Sequence, residues 1–216
     1  MSDKEDFPMQ RNIPQLTGRG ALAAAALTLA LAAAAFVGAQ PAQRSWRIRD
    51  APPQVRDSIS RADLVIAAMQ DSVLRELTTQ LAAGSTSSAL AFCHVDAGAA
   101  ARRIAAAERV EAGRTSDRLR NPGNAPRPWA APLVAENAGK RSKDVDGFVV
   151  DLGDRIGVLR PIAQGAMCAR CHGPRDALAA DVKAALAQRY PHDRATGFKE
   201  GEIRGWFWVE MPMSPR

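Results

Sequence analysis

Two thiols and an imidazole within five residues, Cys168-Ala169-Arg170-Cys171-His172, constrain this chain more than any other feature. Whatever fold forms must hold one short loop so that two sulfurs and one ring act on a common target. The spacing is that of covalent c-type haem attachment, in which the sulfurs add to the vinyl groups and the adjacent imidazole reaches the iron from one face. Three plainer readings compete: a redox dithiol, half of a zinc site, or a simple turn. A structural zinc site needs four ligands, and the three cysteines and three histidines include no second pair of this kind. A thioredoxin-like dithiol sits beside a βαβ pattern, which the sequence lacks. Haem attachment is the leading reading.

The N-terminus points the same way. Arg11 and Arg19 precede Ala21–Gly38, an uncharged stretch rich in alanine with Leu22, Leu27, Leu29, Leu31, Phe36 and Val37. Val37-Gly38-Ala39 then offers the small residues of a signal-peptidase site. Residues 1–39 are expected to be an export signal, with an uncleaved membrane anchor over 21–38 as the alternative. The stretch stands at the short end of the spanning range. Either way the remainder is expected outside the cytoplasm, in the periplasm, where c-type haem is attached.

Residues 40–216 carry 26 basic against 20 acidic side chains. A positive surface suits an acidic partner or an anionic membrane face. Nucleic acid is not expected, because an exported protein seldom meets it and a single tyrosine is present for stacking. If two cysteines hold haem, Cys93 is left as a lone thiol in an oxidising compartment, which calls for an explanation.

Along the chain, 40–54 reads as a polar, proline-containing linker and 55–213 as one domain. Val55, Ile59, Ala62, Ile66, Met69, Val73, Leu77 and Leu81 recur at helical steps. Gly84 ends that helix, and Ser85 to Ser88 offer N-caps for a second one. There Leu90, Cys93, Ala97, Ala101 and Ile104 share a face, so Cys93 is expected to point inward, with His94 about 100° round the helix. Gly113, Pro122, Gly123, Pro126, Pro128 and Pro132 forbid a long helix and predict an extended loop that Trp129 and regular arginines would order. The polar residues 137–146 are expected at the surface. Phe148–Val150 and Ile156–Ile162 flank Gly153-Asp154 as a hairpin. Asp176–Arg189 should form a helix, and Ile203–Glu210 a final strand with Trp206, Phe207 and Trp208 alternating across it. Helices first, then a small antiparallel sheet, is an α+β layout.

Beyond these patterns, the chain resembles the Tll0287-like haem domains, an exported group once classed as a domain of unknown function. The resemblance spans about residues 55–210. It rests on Gly113-Arg114-Thr115-Ser116 with Arg118, on Arg120-Asn121-Pro122, Asn124, Pro126 and Trp129, and on Gly157 and Arg160-Pro161-Ile162. It continues through Cys168–Gly173, Tyr190-Pro191, Asp193, Ala195-Thr196-Gly197-Phe198, Glu200-Gly201 and Arg204-Gly205. Ala130 departs from it, since an acidic residue is expected after the tryptophan. The resemblance implies a PAS-like antiparallel sheet with long N-terminal helices and one covalent haem c. It also implies histidine and cysteine as axial ligands, by position His172 and Cys93. Such domains are thought to be redox or small-gas sensors.

His94 competes with Cys93 for the same face of the iron, and the bland reading of Cys93 is a small buried hydrophobe. Met69 and Met167 are weaker candidates, and His192 falls in an exposed turn. A thiolate ligand donates electron density and stabilises the ferric form, whereas methionine raises the potential. Haem propionates want guanidinium partners, for which Arg114, Arg118, Arg120 and Arg160 are candidates; the alternative is that they pin loops to the domain. Three functions follow in order: a redox or small-molecule sensor, an electron-transfer cytochrome c, and a peroxidase-like enzyme, which lacks an evident distal acid–base pair. The expected partners are a redox protein or a small gas or redox signal.

Overall fold

The computed structural model describes residues 43–83 and 86–213, without the side chains of 87, 88 and 91–97. Residues 1–42, with the expected export signal, and residues 214–216 lie outside the described residues. So do Gly84, Ser85 and the side chains of Cys93 and His94.

Helix α1 (Arg56–Ala82) follows a 3-10 turn that begins at Pro53, where a missing N–H is harmless. Its first half buries Ile59, Ala62, Val65, Ile66 and Met69 at three- and four-residue steps. Helix α2 (Thr86–Ala107) packs against α1. The sheet has five antiparallel strands in the order β1-β3-β4-β5-β2: β1 (Ser45–Arg47), β2 (Glu111–Thr115), β3 (Phe148–Asp151), β4 (Arg155–Ala163) and β5 (Ile203–Pro212). The β3–β4 hairpin turns through Leu152–Asp154, where Gly153 adopts φ 97° and the Asp151 carboxylate accepts from its N–H. The α+β expectation holds.

Strand alternation divides the sheet into two faces. Val149, Ile156, Val158, Phe207, Val209 and Met211 meet α1 in the main core. Phe148, Leu159 and Trp206 meet Ala130, Val134, Val145 and Ile203 on the other side. Helix α3 (Ala131–Glu136) belongs to that cover. Two short helices complete the fold, α4 (Ala169–His172) and α5 (Ala180–Arg189). Leu178, Val182 and Leu186 form a third cluster with Leu90 of α2.

Two expectations change. The stretch taken as a linker contains β1, which pairs with β3, while Ala51 is buried in the core. Its polar sequence hid an edge strand of three residues whose apolar content is Trp46 and, just beyond it, Ile48. The extended loop from Gly113 begins as a strand, β2, because Gly113 lets the Trp208 indole lie on the backbone: a Cβ there would stand 2.8 Å from the ring. The rest of that segment is held down as expected. Trp129 lies on Gly157 in the same way and donates to Glu210 Oε1 at 2.7 Å. Glu210 also accepts from Arg127 Nε at 2.6 Å and from Arg155 Nη1 at 3.4 Å. Burial alone would raise its carboxyl, but Arg127, Trp129 and Arg155 together hold it below the usual range. Ala130 is fully buried, so an acidic side chain there would enter an apolar cluster.

Candidate functional site

The pentapeptide folds as a single helical turn. His172 N–H donates to Cys168 carbonyl at 2.9 Å and Cys171 N–H to the same oxygen at 3.1 Å. The cysteines therefore stand three residues apart on one helical face, with the histidine next to it. Gly173 ends the turn, since a Cβ at this position would lie 2.6 Å from Ala169 carbonyl. Both cysteines are half-buried. Cys171 packs against the Leu90, Leu186 and Tyr190 cluster between α2 and α5, while Cys168 lines a hollow together with Gln70, Val73 and Leu74 of α1.

A loop after α5 closes over the histidine. Gly197 N–H reaches Gly173 carbonyl at 2.8 Å and Phe198 N–H reaches His172 carbonyl at 3.1 Å. The Phe198 ring meets the imidazole edge-on at 6.3 Å. His172 Nδ1 lies 2.7 Å from Ala195 carbonyl. A carbonyl only accepts, so Nδ1 carries the proton and Nε2 keeps its lone pair. The side chain is held neutral: burial lowers its pKa well below the usual value, and the charges of Arg120, Arg204 and Arg114 lower it further, against the Ala195 hydrogen bond.

Arg120 ties this assembly together. It makes a two-pronged ion pair with Asp193, Nε to Oδ1 at 3.1 Å and Nη2 to Oδ2 at 3.2 Å. Nη2 also donates to Cys171 carbonyl at 2.6 Å and to Ala195 carbonyl at 3.2 Å. Asp193 in turn accepts from Ala195 N–H at 2.9 Å. One guanidinium thus fixes the second cysteine's backbone and the carbonyl that orients the histidine. Asn121 accepts from Gly123 N–H at 2.9 Å and turns the chain after Arg120.

Beside His172 is a cavity of two adjoining hollows, about 110 Å³ and about 340 Å³, which share Arg114, Ile162 and Arg204 as walls. The second half of α1 forms one wall through Gln70, Val73 and Leu74. Arg118 and Arg120 line the first hollow, but Arg118 pairs with Glu202, donates to Thr196 carbonyl at 3.2 Å and lies over the Phe198 ring. Arg160, a candidate propionate partner in the sequence, lines neither hollow and is clasped by Asp63 of α1, with contacts of 2.7 and 2.6 Å. Its place on β4, in line with Val158, turns it toward α1.

One wall residue was missed. Ile162 pairs with Gly205 and Ala163 with Ile203, so Arg204 is the extra residue of a β-bulge. Strict alternation would send it to the Trp206 side; the bulge places it in the cavity wall. Its Nε is buried and meets no acceptor among the described residues. Its only sequence signal was the Arg204-Gly205 dipeptide. Met69 is core, Met167 lines a separate surface hollow with Thr78 and Leu81, and His192 is exposed.

Among the described residues, no three histidine, cysteine or carboxylate side chains are grouped to chelate a bare metal ion. The residues present do fit an iron porphyrin: two thiols on one turn, an imidazole with its metal-binding nitrogen open, a cavity in the ligand-sized range and an orphaned guanidinium nitrogen in its wall.

Fold and site together define an α+β domain in which a cysteine–histidine turn faces an arginine-walled cavity. The chain belongs to the Tll0287-like family, whose model matches residues 49–212. The solved structure of the cyanobacterial haem protein Tll0287 is similar to it, with a TM-score of 0.54 and 22% identity, covering 77% of this chain and 99% of that one. No curated protein matches the sequence.

Proposed function

We propose that this protein carries one covalent haem c, bonded through Cys168 and Cys171, and works as an exported, periplasmic redox or small-molecule sensor. The observation that carries the reading is the locked imidazole: His172 Nδ1–H is held by Ala195 carbonyl, which leaves Nε2 for the metal. Family membership and the likeness to a haem protein support it, as does a meander of three strands under long helices, in keeping with the PAS-like sheet that the resemblance implies.

Bound there, a haem would supply redox chemistry and small-gas binding at its iron. The chain's own residues do the rest. His172 would hold the iron through Nε2, and Arg120 with Asp193 holds the carbonyl that orients its ring. Cys93 would be the second residue to hold the iron. It stands on α2 three residues after Leu90, whose side chain shares a cluster with Cys171. A thiolate there favours the ferric form. Val73, Leu74 and Ile162, which line the hollow, would shield the macrocycle from water.

Purified protein from cells competent in cytochrome maturation tests this. The expected results are a mass increased by the macrocycle and a low-spin, six-coordinate ferric spectrum. Cys93→Ala should change that spectrum and open the iron to carbon monoxide on reduction; identical spectra would remove Cys93 from the iron. A colourless preparation ends the haem reading. Fast electron exchange with no ligand change on reduction would favour an electron-transfer cytochrome, which the basic surface also suits.

A further inference from the structure

We propose that Arg204 seats a propionate of the haem, a role the sequence pattern assigns to other arginines. The inference rests on the haem reading above. Arg204 lines both hollows of the cavity and owes that position to the bulge at Ile162/Ala163. Its Nε is buried without an acceptor among the described residues. An unsatisfied buried donor is destabilising, and more so when it belongs to a charged group. A ligand that brings the acceptor removes that cost.

The cavity walls supply no anionic acceptor, because neither hollow is lined by an aspartate or glutamate. The other arginines are engaged within the protein: Arg118 with Glu202, Arg120 with Asp193, and Arg160 with Asp63. Arg114, on the neighbouring strand β2, adds a second positive charge to the same wall. A planar carboxylate matches the guanidinium fork. Cys168, one of the two attachment sulfurs, lines the same hollow as Arg204. A free anion from solution shares the carboxylate's chemistry but would be indifferent to the macrocycle.

The test compares holoprotein of wild type, Arg204→Lys and Arg204→Gln. Resonance Raman reads the propionate-bending band, and spectroelectrochemistry reads the midpoint potential in phosphate-free buffer. Arg204→Gln should shift the band and lower the midpoint, because a positive charge that favours the reduced centre is gone. Arg204→Lys keeps the charge but loses the fork, so the band should shift while the midpoint stays near wild type. Haem-loaded variants with the wild-type band and midpoint overturn the proposal; a wild-type response to added phosphate in such variants' place assigns Arg204 to a free anion and overturns it too. If Arg204→Gln yields no holoprotein, the band in Arg204→Lys decides alone. A wild type without haem fails the underlying reading, whereas loaded wild type with unmoved variants fails only this one.

Discussion

Replacing Asp193 by asparagine should unsettle the cysteine–histidine turn without unfolding the domain. The Asp193 side chain is 1% exposed and the Arg120 side chain 10%. Asparagine keeps an oxygen for Ala195 N–H but removes the charge and turns an N–H₂ group toward the guanidinium. Breaking a buried pair from one side costs about 3–5 kcal/mol. Arg120 retains the Cys171 and Ala195 carbonyls as acceptors, so the lower figure, about 3 kcal/mol, applies. For a domain of this size that corresponds to a fall in Tm of about 6–12 °C. Thermal unfolding followed by circular dichroism measures it, with Arg120→Met and the double variant completing a cycle. The double variant should be more stable than the sum of the singles implies, because no charge is then left alone. A loss below about 1 kcal/mol for Asp193→Asn, or strict additivity, would refute the view that this pair holds the site together.

Glu210 supplies a pH signature. Its folded pKa is depressed, so its contribution is complete above the ordinary glutamate value of 4.5 and is lost as pH falls through the lower folded value. Denaturant titrations between pH 6 and about pH 3 should show stability falling with acid, and Glu210→Gln should flatten that fall while lowering stability at neutral pH. Gly157→Ala pushes a methyl to within 2.8 Å of the Trp129 ring and should cost about 1–3 kcal/mol; most of that penalty should vanish in a Trp129→Ala background, and its persistence there would argue against the ring contact as its cause.

The legible parts of the fold were those with long periods. The α1 stripe from Val55 to Met69 is about four turns of repeated apolar spacing, and it is the stripe that is buried. The hairpin announced itself through two apolar runs around Gly153-Asp154. β1 gave no such signal: three residues are too few to show a period, and its pairing partner β3 is about a hundred residues away. β2 was hidden differently. Glu111–Thr115 reads as Glu-Ala-Gly-Arg-Thr, poor in β-formers, and becomes a strand because β5 beside it offers Trp208 to fill the space that Gly113 leaves. Tertiary packing overrode local preference there.

The site divides along the same line. The cysteine–histidine turn was readable because its chemistry is local, set by spacing along one turn of chain. What makes the turn work is not local. The carbonyl that selects the tautomer of His172 belongs to Ala195, a residue type with no chemical label, and the guanidinium that fixes that carbonyl comes from Arg120, 51 positions before the cysteine it also holds. Arginine count alone misled, because residue type cannot tell a guanidinium already clasped by Asp63 or Asp193 from one left open at a bulge. That difference is set by which carboxylates the fold brings near, and so by α1 for Arg160 and by the loop after α5 for Arg120. Removing a clasp should therefore not create a ligand site at Arg160, whose strand position still aims it at α1, whereas straightening the bulge at Ile162/Ala163 should turn Arg204 away from the cavity.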